Sequence, residues 1–433
     1  MNKNKITLSV AAALALGFSA NTMAAGFQLA EYSATGLGRA FAGEAAMADN
    51  ASAQFRNPAM LTYLEGTQIS VGAIYVDPNI DVEGDVSVMG KPLASTKAGD
   101  IAHAAVIPNF YLSHRLNEQW ALGLAFATNY GMETELGGDF IGTMFGNQAN
   151  VFSVEINPNV AYKINDQFSI GAGVRFVMGE GHIGASVPGN LPSTITGNTF
   201  LDGVINSMEG KDLKYMEGED TAWGWQLGAA WQINDANRIG FNYRSAVDLN
   251  LEGEASGVIY GQTRPGSMAL TLPATAELAS FHQLTDKLAM HASVNWTDWS
   301  TFDKLEAKIP GYGTGTDLIK EENWEDNYRF AVGTTYQYTN KLALRTGVAY
   351  DMSAVSDEHR TQTIPETDRI WLSVGAGYQY SENLNFDAGF TYIIAKDAPM
   401  TEDLEVGGNT MANITGETTG SVWLVGVQAN YRF

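Results

Sequence analysis

A short polar motif recurs six times along the chain and constrains the fold more than any other feature. Each copy joins two stretches of alternating apolar and polar residues through a few residues rich in Asn, Asp and Thr. The copies read SHRLNEQWALGL, AYKINDQFSIGA, AWQINDANRIGF, FHQLTDKLAMHA, YQYTNKLALRTG and YQYSENLNFDAG. Such spacing is typical of tight β-hairpins, so the six motifs predict twelve antiparallel strands.

Two further alternating segments, TQISVGAIYVD and SVWLVGVQANYRF, raise the predicted number of strands to fourteen. In the second of them Trp423, Val425 and Val427 fall on one face, while Gly426 and Gln428 fall on the other. An apolar outside, a polar inside, short turns at one end and long loops at the other are typical of bacterial outer-membrane barrels. We therefore predict an all-β fold, a closed 14-stranded antiparallel transmembrane β-barrel of the outer membrane.

The first residues, MNKNKITLSVAAALALGFSANTMA, combine a basic start, a short apolar core and small residues at a cleavage site. This pattern predicts a cleavable signal peptide over residues 1–24, and hence export from the cytoplasm of a Gram-negative bacterium. An N-terminal membrane anchor is the alternative interpretation.

Composition excludes several classes of function. The chain has no cysteine, which rules out thiolate metal sites, and its formal net charge of −23 disfavours nucleic acid as a partner. The six histidines fit neither a serine-hydrolase pattern nor HExxH. We therefore expect no catalytic residue, no metal and no cofactor, and a protein that is not an enzyme.

Residues 25–66 differ in character from the strands that follow them. They contain several glycines, scattered aromatic residues and the turn Asn57-Pro58, where Pro58 has no N–H for a strand ladder. A segment too irregular for a strand, at the end of a closed barrel, predicts a plug inside the lumen of a barrel formed by residues 67–433. A disordered periplasmic tail is the alternative.

The segment AGFQLAEYSATGLGRAFAGEAAMADNASAQFRNPAML resembles the N-terminal hatch of the FadL-type outer-membrane transporters for long-chain fatty acids and other hydrophobic compounds. The triplet Asn57, Pro58 and Ala59 matches the family's hatch motif, and the similarity continues through NPNVAYKI, ALRTGVAYD and RIWLSVGAGY. The resemblance implies passive transport. A ligand docks in an apolar groove of the outer loops, binds inside the barrel beside the hatch, and leaves sideways into the membrane after a hatch movement. The exit lies beside a kink in the third strand, QWALGLAFATNYG, where Gly131 is the candidate.

Strand parity places Arg369 and Asp351 on the lumen face, where an arginine suits the carboxylate of a fatty acid and an inner aromatic residue suits its alkyl chain. The resemblance adds a lysine at the head group and a phenylalanine near the mature N-terminus. The predicted ligand-binding residues are Phe27, Lys320, Asp351, Arg369, Trp371 and Ser373. Alternatively, the lumen arginines balance inward-facing acids. A second basic contact of the family falls near Glu180 to His182, where this chain has no clear arginine.

One stretch of an outer loop has apolar residues at helical spacing and predicts an external docking groove. Its residues are Phe200, Leu201, Val204, Ile205 and Met208. A second stretch begins the same pattern at Phe140, Ile141, Met144 and Phe145, and Val258 to Tyr260 would complete the groove. Packing between loops is the alternative for each of these residues.

The substrate stays open at this point. A long-chain fatty acid is the first expectation, a channel for aromatic hydrocarbons the second, and a general porin or an outer-membrane enzyme less favoured. The other expected partners are outer-membrane lipid and lipopolysaccharide around the barrel, and the barrel-assembly machinery, which would recognise the terminal Phe433. Nothing in this architecture requires an oligomer, so a monomer is expected.

Overall fold

The protein is described by a computed structural model that covers residues 26–406 and 409–433. Within this part of the chain, twenty β-strands form one antiparallel sheet system. The strands are β1 Thr67–Val88, β2 Lys91–Ala98, β3 Ala105–Arg115, β4 Trp120–Glu135, β5 Gln148–Lys163, β6 Phe168–Ser186, β7 Asp212–Asn234, β8 Asn237–Arg244, β9 Val247–Ser256, β10 Arg264–Leu272, β11 Thr275–Gln283, β12 Leu288–Thr297, β13 Lys304–Lys308, β14 Thr316–Glu321, β15 Asn327–Gln337, β16 Leu342–Asp351, β17 Arg369–Gln379, β18 Leu384–Ala395, β19 Ala398–Val406 and β20 Asn409–Arg432. The predicted signal peptide, residues 1–24, lies outside the described residues.

Helical structure in the described ranges is short. The α-helices are α1 Ala34–Leu37, α2 Ala53–Arg56 and α3 Thr199–Asn206, and the 3₁₀ turns are Glu44–Ala46, Pro58–Tyr63, Ile141–Met144 and Trp299–Thr301. Across residues 26–406 and 409–433, no helix has the length and apolarity needed to cross a bilayer.

The barrel closes by pairing its last strand with its first. The hydrogen-bonded order is β1, β3, β4, β5, β6, β7, β8, β11, β12, β15, β16, β17, β18 and β20, and β20 pairs again with β1. The predicted barrel of fourteen antiparallel strands is therefore confirmed. The other six strands extend the wall on the long-loop side, where β2 pairs with β1, β9 with β7 and β19 with β20.

The six short turns coincide with the six recurring motifs. In each turn one polar side chain accepts a hydrogen bond from a backbone N–H two or three residues ahead; Asn117, for example, accepts from Gln119 and Trp120, at 2.9 Å each. The equivalent residues are Asn165, Asn234, Thr285, Thr339 and Ser381. Asn, Thr and Ser stabilise tight turns in this way, which explains why the motif repeats.

The two faces of the wall are chemically distinct. In β20, Trp423 and Val427 are 37% and 59% exposed, whereas Leu424 and Gln428 are buried inside the barrel. In β17, Ile370 and Leu372 are likewise exposed, and Arg369 is buried. The alternation predicted from the sequence is confirmed, and it presents an apolar band to the surroundings.

Residues 26–64 lie inside the barrel and are almost entirely buried. The Ala34 N–H donates to Oε1 of Gln428 on β20 at 3.1 Å, and Arg244 on β8 donates to the carbonyl of Phe55 at 2.7 Å. Contacts to opposite sides of the wall leave no room for a disordered tail in this stretch. Here residues 26–64 are called the N-terminal segment.

Glycines in the wall allow the N-terminal segment to approach the strands closely. A Cβ atom on Gly347 of β16 would collide with the backbone of Arg39, and one on Gly240 of β8 would collide with the backbone of Ala45. Neither collision is relieved by a side-chain rotation, because both involve backbone atoms. The segment therefore fits only a wall that lacks side chains at these points.

Gly347→Ala should loosen the N-terminal segment without opening the barrel. Overpacking of this kind costs about 1–3 kcal/mol, and the strain falls on the contact with Arg39. We expect faster hydrogen exchange in residues 26–64 by mass spectrometry, with the strands unchanged. Gly138→Ala is the matched control, since nothing lies within 4 Å of the added Cβ. Equal exchange in both variants would contradict this account of the fit.

Candidate functional site

A cluster of buried apolar side chains fills the outer half of the barrel, between the N-terminal segment and the long loops. Phe27 is at its centre, with its ring centroid 4.6 Å from that of Trp299 and 5.5 Å from that of Phe302. We call this set the inner apolar cluster. Its members include Phe27, Tyr130, Met132, Phe140, Leu249, Leu272, Trp299, Phe302, Trp324, Ile364 and Met400. Phe27, predicted to touch the ligand, therefore lies in the most aromatic part of the interior.

Arg369 is held by two acids at the base of the loop that precedes β17. Its Nη2 lies 2.7 Å from Oε1 of Glu366 and 3.8 Å from Oδ2 of Asp351, and all three side chains are buried. Burial raises the pKa of Glu366 to about 7, against the opposing effect of Arg369. The predicted pair Asp351 and Arg369 is thus brought together, with Glu366 as a third member that the sequence did not indicate.

Lys320 belongs to a different cluster of charges. Its Nζ lies 2.7 Å from Oε2 of Glu402 on β19, and Oε1 of Glu402 accepts a hydrogen bond of 2.6 Å from the backbone N–H of Gln362. Nearby, Glu322 accepts a 3.0 Å hydrogen bond from Nε1 of Trp324. Burial raises the pKa of Glu322 to about 7, and Lys320 opposes this. Lys320 and Arg369, both predicted to bind the ligand, therefore pair with different acids.

Trp371 packs against the N-terminal segment rather than the inner apolar cluster, and Ser373 is linked to that segment through Thr391. Trp371 packs in a second buried cluster with Leu29 and Phe41, and Ser373 bonds to Thr391 at 2.6 Å. Thr391 in turn donates to the carbonyl of Leu37 at 3.2 Å. Trp371 faces the interior, as strand parity predicts, but parity does not fix the depth of a side chain along the barrel. The role of Trp371 in lining an alkyl chain stays a prediction.

The triplet at residues 57–59 joins the N-terminal segment to the wall. The Asn57 side chain accepts from the Ala59 N–H at 2.9 Å and donates to the carbonyls of Ala45 and Ala229 at 2.6 and 3.0 Å. Pro58 starts a 3₁₀ turn, and Ala59 is fully buried. The motif therefore fixes one end of the segment to itself and to β7.

The wall is interrupted next to Phe27. Strand β3 pairs with β4 only over Phe110–Arg115, and the pairing of β4 with β5 shifts register between Thr128 and Gly131. Residues 105–109 of β3 have no partner on β4. The N-terminal segment covers part of this gap, because the Leu29 N–H donates to the carbonyl of Asn129, and the Gly131 N–H to that of Phe27, at 2.9 Å each. Gly131, the candidate kink residue, ends the irregular stretch.

The predicted external groove is present in part. Phe200, Leu201 and Val204 on α3 are 77%, 42% and 42% exposed, and they form what we call the α3 patch. Ile205 is half-buried against a cluster containing Ile195, and Met208 is also half-buried. Asn198 caps the helix by accepting from the N–H groups of residues 200 and 201.

The other residues predicted for the groove divide between buried and exposed positions. The stretch beginning at Phe140 forms a 3₁₀ turn whose first residues are buried in the inner apolar cluster. Tyr260 is also buried, with its hydroxyl 2.6 Å from Asp317, while Val258 and Ile259 are exposed. An apolar helical spacing predicts an apolar face, but it does not say whether that face points outward.

Most lumen arginines are paired with acids. Glu155 accepts from both Arg175 and Arg244, and Arg345 lies 2.7 Å from Asp387. These contacts support the structural alternative for those arginines. Near Glu180 to His182, the chain forms an open groove of about 420 Å³ that is lined by further glutamates.

Comparison with known proteins agrees with this architecture. The family model for outer membrane protein transport proteins (OMPP1/FadL/TodX) matches residues 15–433. A long-chain fatty acid transport protein of Escherichia coli O6:H1 is 32% identical over 99% of this chain and 98% of its own, and outer membrane protein P1 of Haemophilus influenzae is 34% identical over 99% of both.

Solved structures show the same fold. A FadL homologue of Pseudomonas aeruginosa superposes with a TM-score of 0.83 at 25% identity, over 94% of this chain and 100% of its own. The Ralstonia pickettii toluene transporter TbuX gives 0.65 at 19% identity, over 94% and 100%. The chain belongs to the OMPP1/FadL/TodX family of outer-membrane transport proteins.

Proposed function

We propose that the protein carries long-chain fatty acids across the outer membrane by passive diffusion. The observation that supports this most is the inner apolar cluster, which has charged groups at two of its borders: Arg369 with Glu366, and Lys320 with Glu402. Aromatic and aliphatic side chains suit an alkyl chain, and a cation at the border suits a carboxylate. The Escherichia coli relative, whose name refers to long-chain fatty acid transport, agrees with this proposal.

A channel for uncharged hydrophobic compounds is the second candidate. Both cations at the border of the cluster already have a carboxylate partner, so the site does not require an ionised ligand. The proposed ligand-binding set keeps Phe27, Lys320, Asp351 and Arg369 in direct roles. Trp371 would act through the N-terminal segment that it contacts, and Ser373 through Thr391, which bonds to that segment.

The proposed route has three steps. A ligand first docks on the α3 patch, which offers exposed apolar surface outside the wall. It next enters the inner apolar cluster by displacing the Phe27 ring. Residues 25–66 then move as a hatch inside the barrel of residues 67–433, and the ligand leaves into the membrane through the gap between β3 and β4.

The remaining proposals concern the surroundings of the barrel. The signal peptide is removed after residue 24, and the terminal Phe433 directs insertion by the barrel-assembly machinery. Lipid and lipopolysaccharide cover the apolar outer band. The protein acts as a monomer, since each barrel contains its own N-terminal segment and inner apolar cluster.

Binding of radiolabelled oleate to the purified protein in detergent tests the substrate. We expect saturable binding that toluene barely displaces. Arg369→Ala should weaken it at least about tenfold, because a hydrogen bond to a charged group contributes roughly 1.5–3 kcal/mol. Arg345→Ala is the matched control, since it also removes a buried arginine from beside a buried acid, Asp387, but away from the inner apolar cluster. Absence of oleate binding together with toluene binding would favour the second candidate.

Deletion of residues 26–60 tests the hatch. The segment fills the lumen, so its removal should raise the ion conductance of the barrel in planar bilayers severalfold. Deletion of residues 199–206, which form α3 outside the wall, should leave the conductance near that of the full chain. An unchanged conductance after the first deletion would show that the segment does not close the lumen.

A disulfide across the gap tests lateral release. The chain has no cysteine, so Asn109→Cys with Ala127→Cys introduces a single pair at the point where pairing of β3 with β4 stops. Oxidation should slow oleate uptake by cells, and reduction should restore it. The control pair, Leu112→Cys with Leu124→Cys, lies where the two strands are already in register. Equal uptake in oxidised and reduced cells would argue for an exit elsewhere.

A further inference from the structure

Glu402 is a buried acid that holds three of the outer loops together. Its side chain is only 3% exposed. One oxygen pairs with Lys320 on β14 at 2.7 Å, and the other accepts the N–H of Gln362 in the loop before β17 at 2.6 Å. Gln362 extends the connection to a fourth loop by donating to the carbonyl of Gly142 at 2.7 Å. A change at Glu402 therefore reaches β14, the loop before β17 and, through Gln362, the turn at Gly142.

The charges around Glu402 border the inner apolar cluster. Met400, two residues earlier on the same face of β19, is a buried member of that cluster. Trp324 donates to Glu322, which lies close enough to Lys320 and Glu402 for both charges to affect its pKa. The ring of Trp324 is 6.0 Å from that of Phe27. When the alkyl chain of a ligand takes the place of the Phe27 ring, the head group of that ligand lies near Lys320.

We propose that Glu402 is a specificity-determining residue, because its carboxylate occupies the position at Lys320 that the carboxylate of a ligand would take. This rests on the proposed function. An ionised ligand that pairs with Lys320 must displace Glu402 and leave that acid buried without its cation, which is costly. An uncharged ligand of the same shape makes no such demand. Glu402 thus shifts the selectivity of the site away from anions and toward neutral hydrophobic compounds.

The same geometry gives Lys320 a conditional role. Its ammonium attracts a ligand carboxylate only to the extent that Glu402 releases it, since one compact point charge is shared between two acids. Removal of the acid should therefore strengthen anion binding. Removal of the lysine alone should not strengthen it, because both anionic and neutral ligands would then face an unpaired Glu402. This opposite response of the two partners separates competition from simple loss of packing.

The test compares oleate with oleyl alcohol, which has the same chain and no charge, at a pH where oleate is ionised. Glu402→Gln keeps the shape and the acceptor for the Gln362 N–H while removing the charge. We expect oleate to bind about tenfold more tightly, since a unit charge is removed within a few ångströms of the carboxylate. Binding of oleyl alcohol should stay within about twofold of the native protein. Lys320→Met in the Glu402→Gln background should abolish the gain.

Asp403→Asn is the matched control. Asp403 is the next residue on β19, is exposed, and bonds to Asn413 at 2.6 Å, so it removes a charge from the same strand but the opposite face. It should leave both ligands unaffected. Tighter binding of both ligands to Glu402→Gln would overturn the proposal, because it would mean that the acid only holds the loops closed. Unchanged or weaker oleate binding would overturn it as well. If the native protein bound neither oleate nor oleyl alcohol, that result would instead contradict the proposed function.

Discussion

Closure of the sheet between β1 and β20 is the interaction on which the rest of the structure depends. The two strands pair continuously from Gln68 with Arg432 to Val88 with Ala412. In a hydrocarbon environment an unpaired strand edge is prohibitively costly. The ring of paired strands is interrupted only by the short gap between β3 and β4, and the N-terminal segment covers part of that gap. Closure also creates an interior, and it is in this interior that polar groups can be buried with partners.

The interior has two distinct parts, and each suits a different task. Around the N-terminal segment the wall supplies arginines, acids and amides that satisfy its backbone, and glycines that let it approach. Above Phe27 the same wall and the long loops supply mainly apolar side chains. The gap between β3 and β4 lies at the boundary, beside the residues that pair with the edge of β4. In the proposed route this gap is the connection between the apolar region and the outside of the wall.

Local patterns in the sequence were sufficient to predict the wall of the barrel but not to predict the contacts of the candidate site. Turn residues such as Asn117 bond to residues no more than three positions away, so the number of strands could be counted from the sequence. Strand alternation assigns each side chain to one face of the wall, so the burial of Arg369 could also be predicted. The partners of Lys320 could not be predicted, because Glu402 is 82 residues away and reaches it only through the packing of two loops. Trp371 shows the same limit, since its neighbours depend on where the N-terminal segment stops along the axis. Glu366 and Trp299 carry no local signal at all.

The contacts of the N-terminal segment impose an order on folding. Ala34 bonds to a residue 394 positions later, and Leu37 to one 354 positions later. The part of the described chain that is synthesised first can therefore complete its contacts only after the strands that are synthesised last are present. Contacts of such sequence separation form slowly, because a long loop must close before they stabilise anything. Until then the aromatic residues that the finished barrel buries, such as Phe27 and Phe55, are exposed to water. The ion pair between Arg39 and Glu44 lies within the segment itself, so its formation does not depend on the late strands.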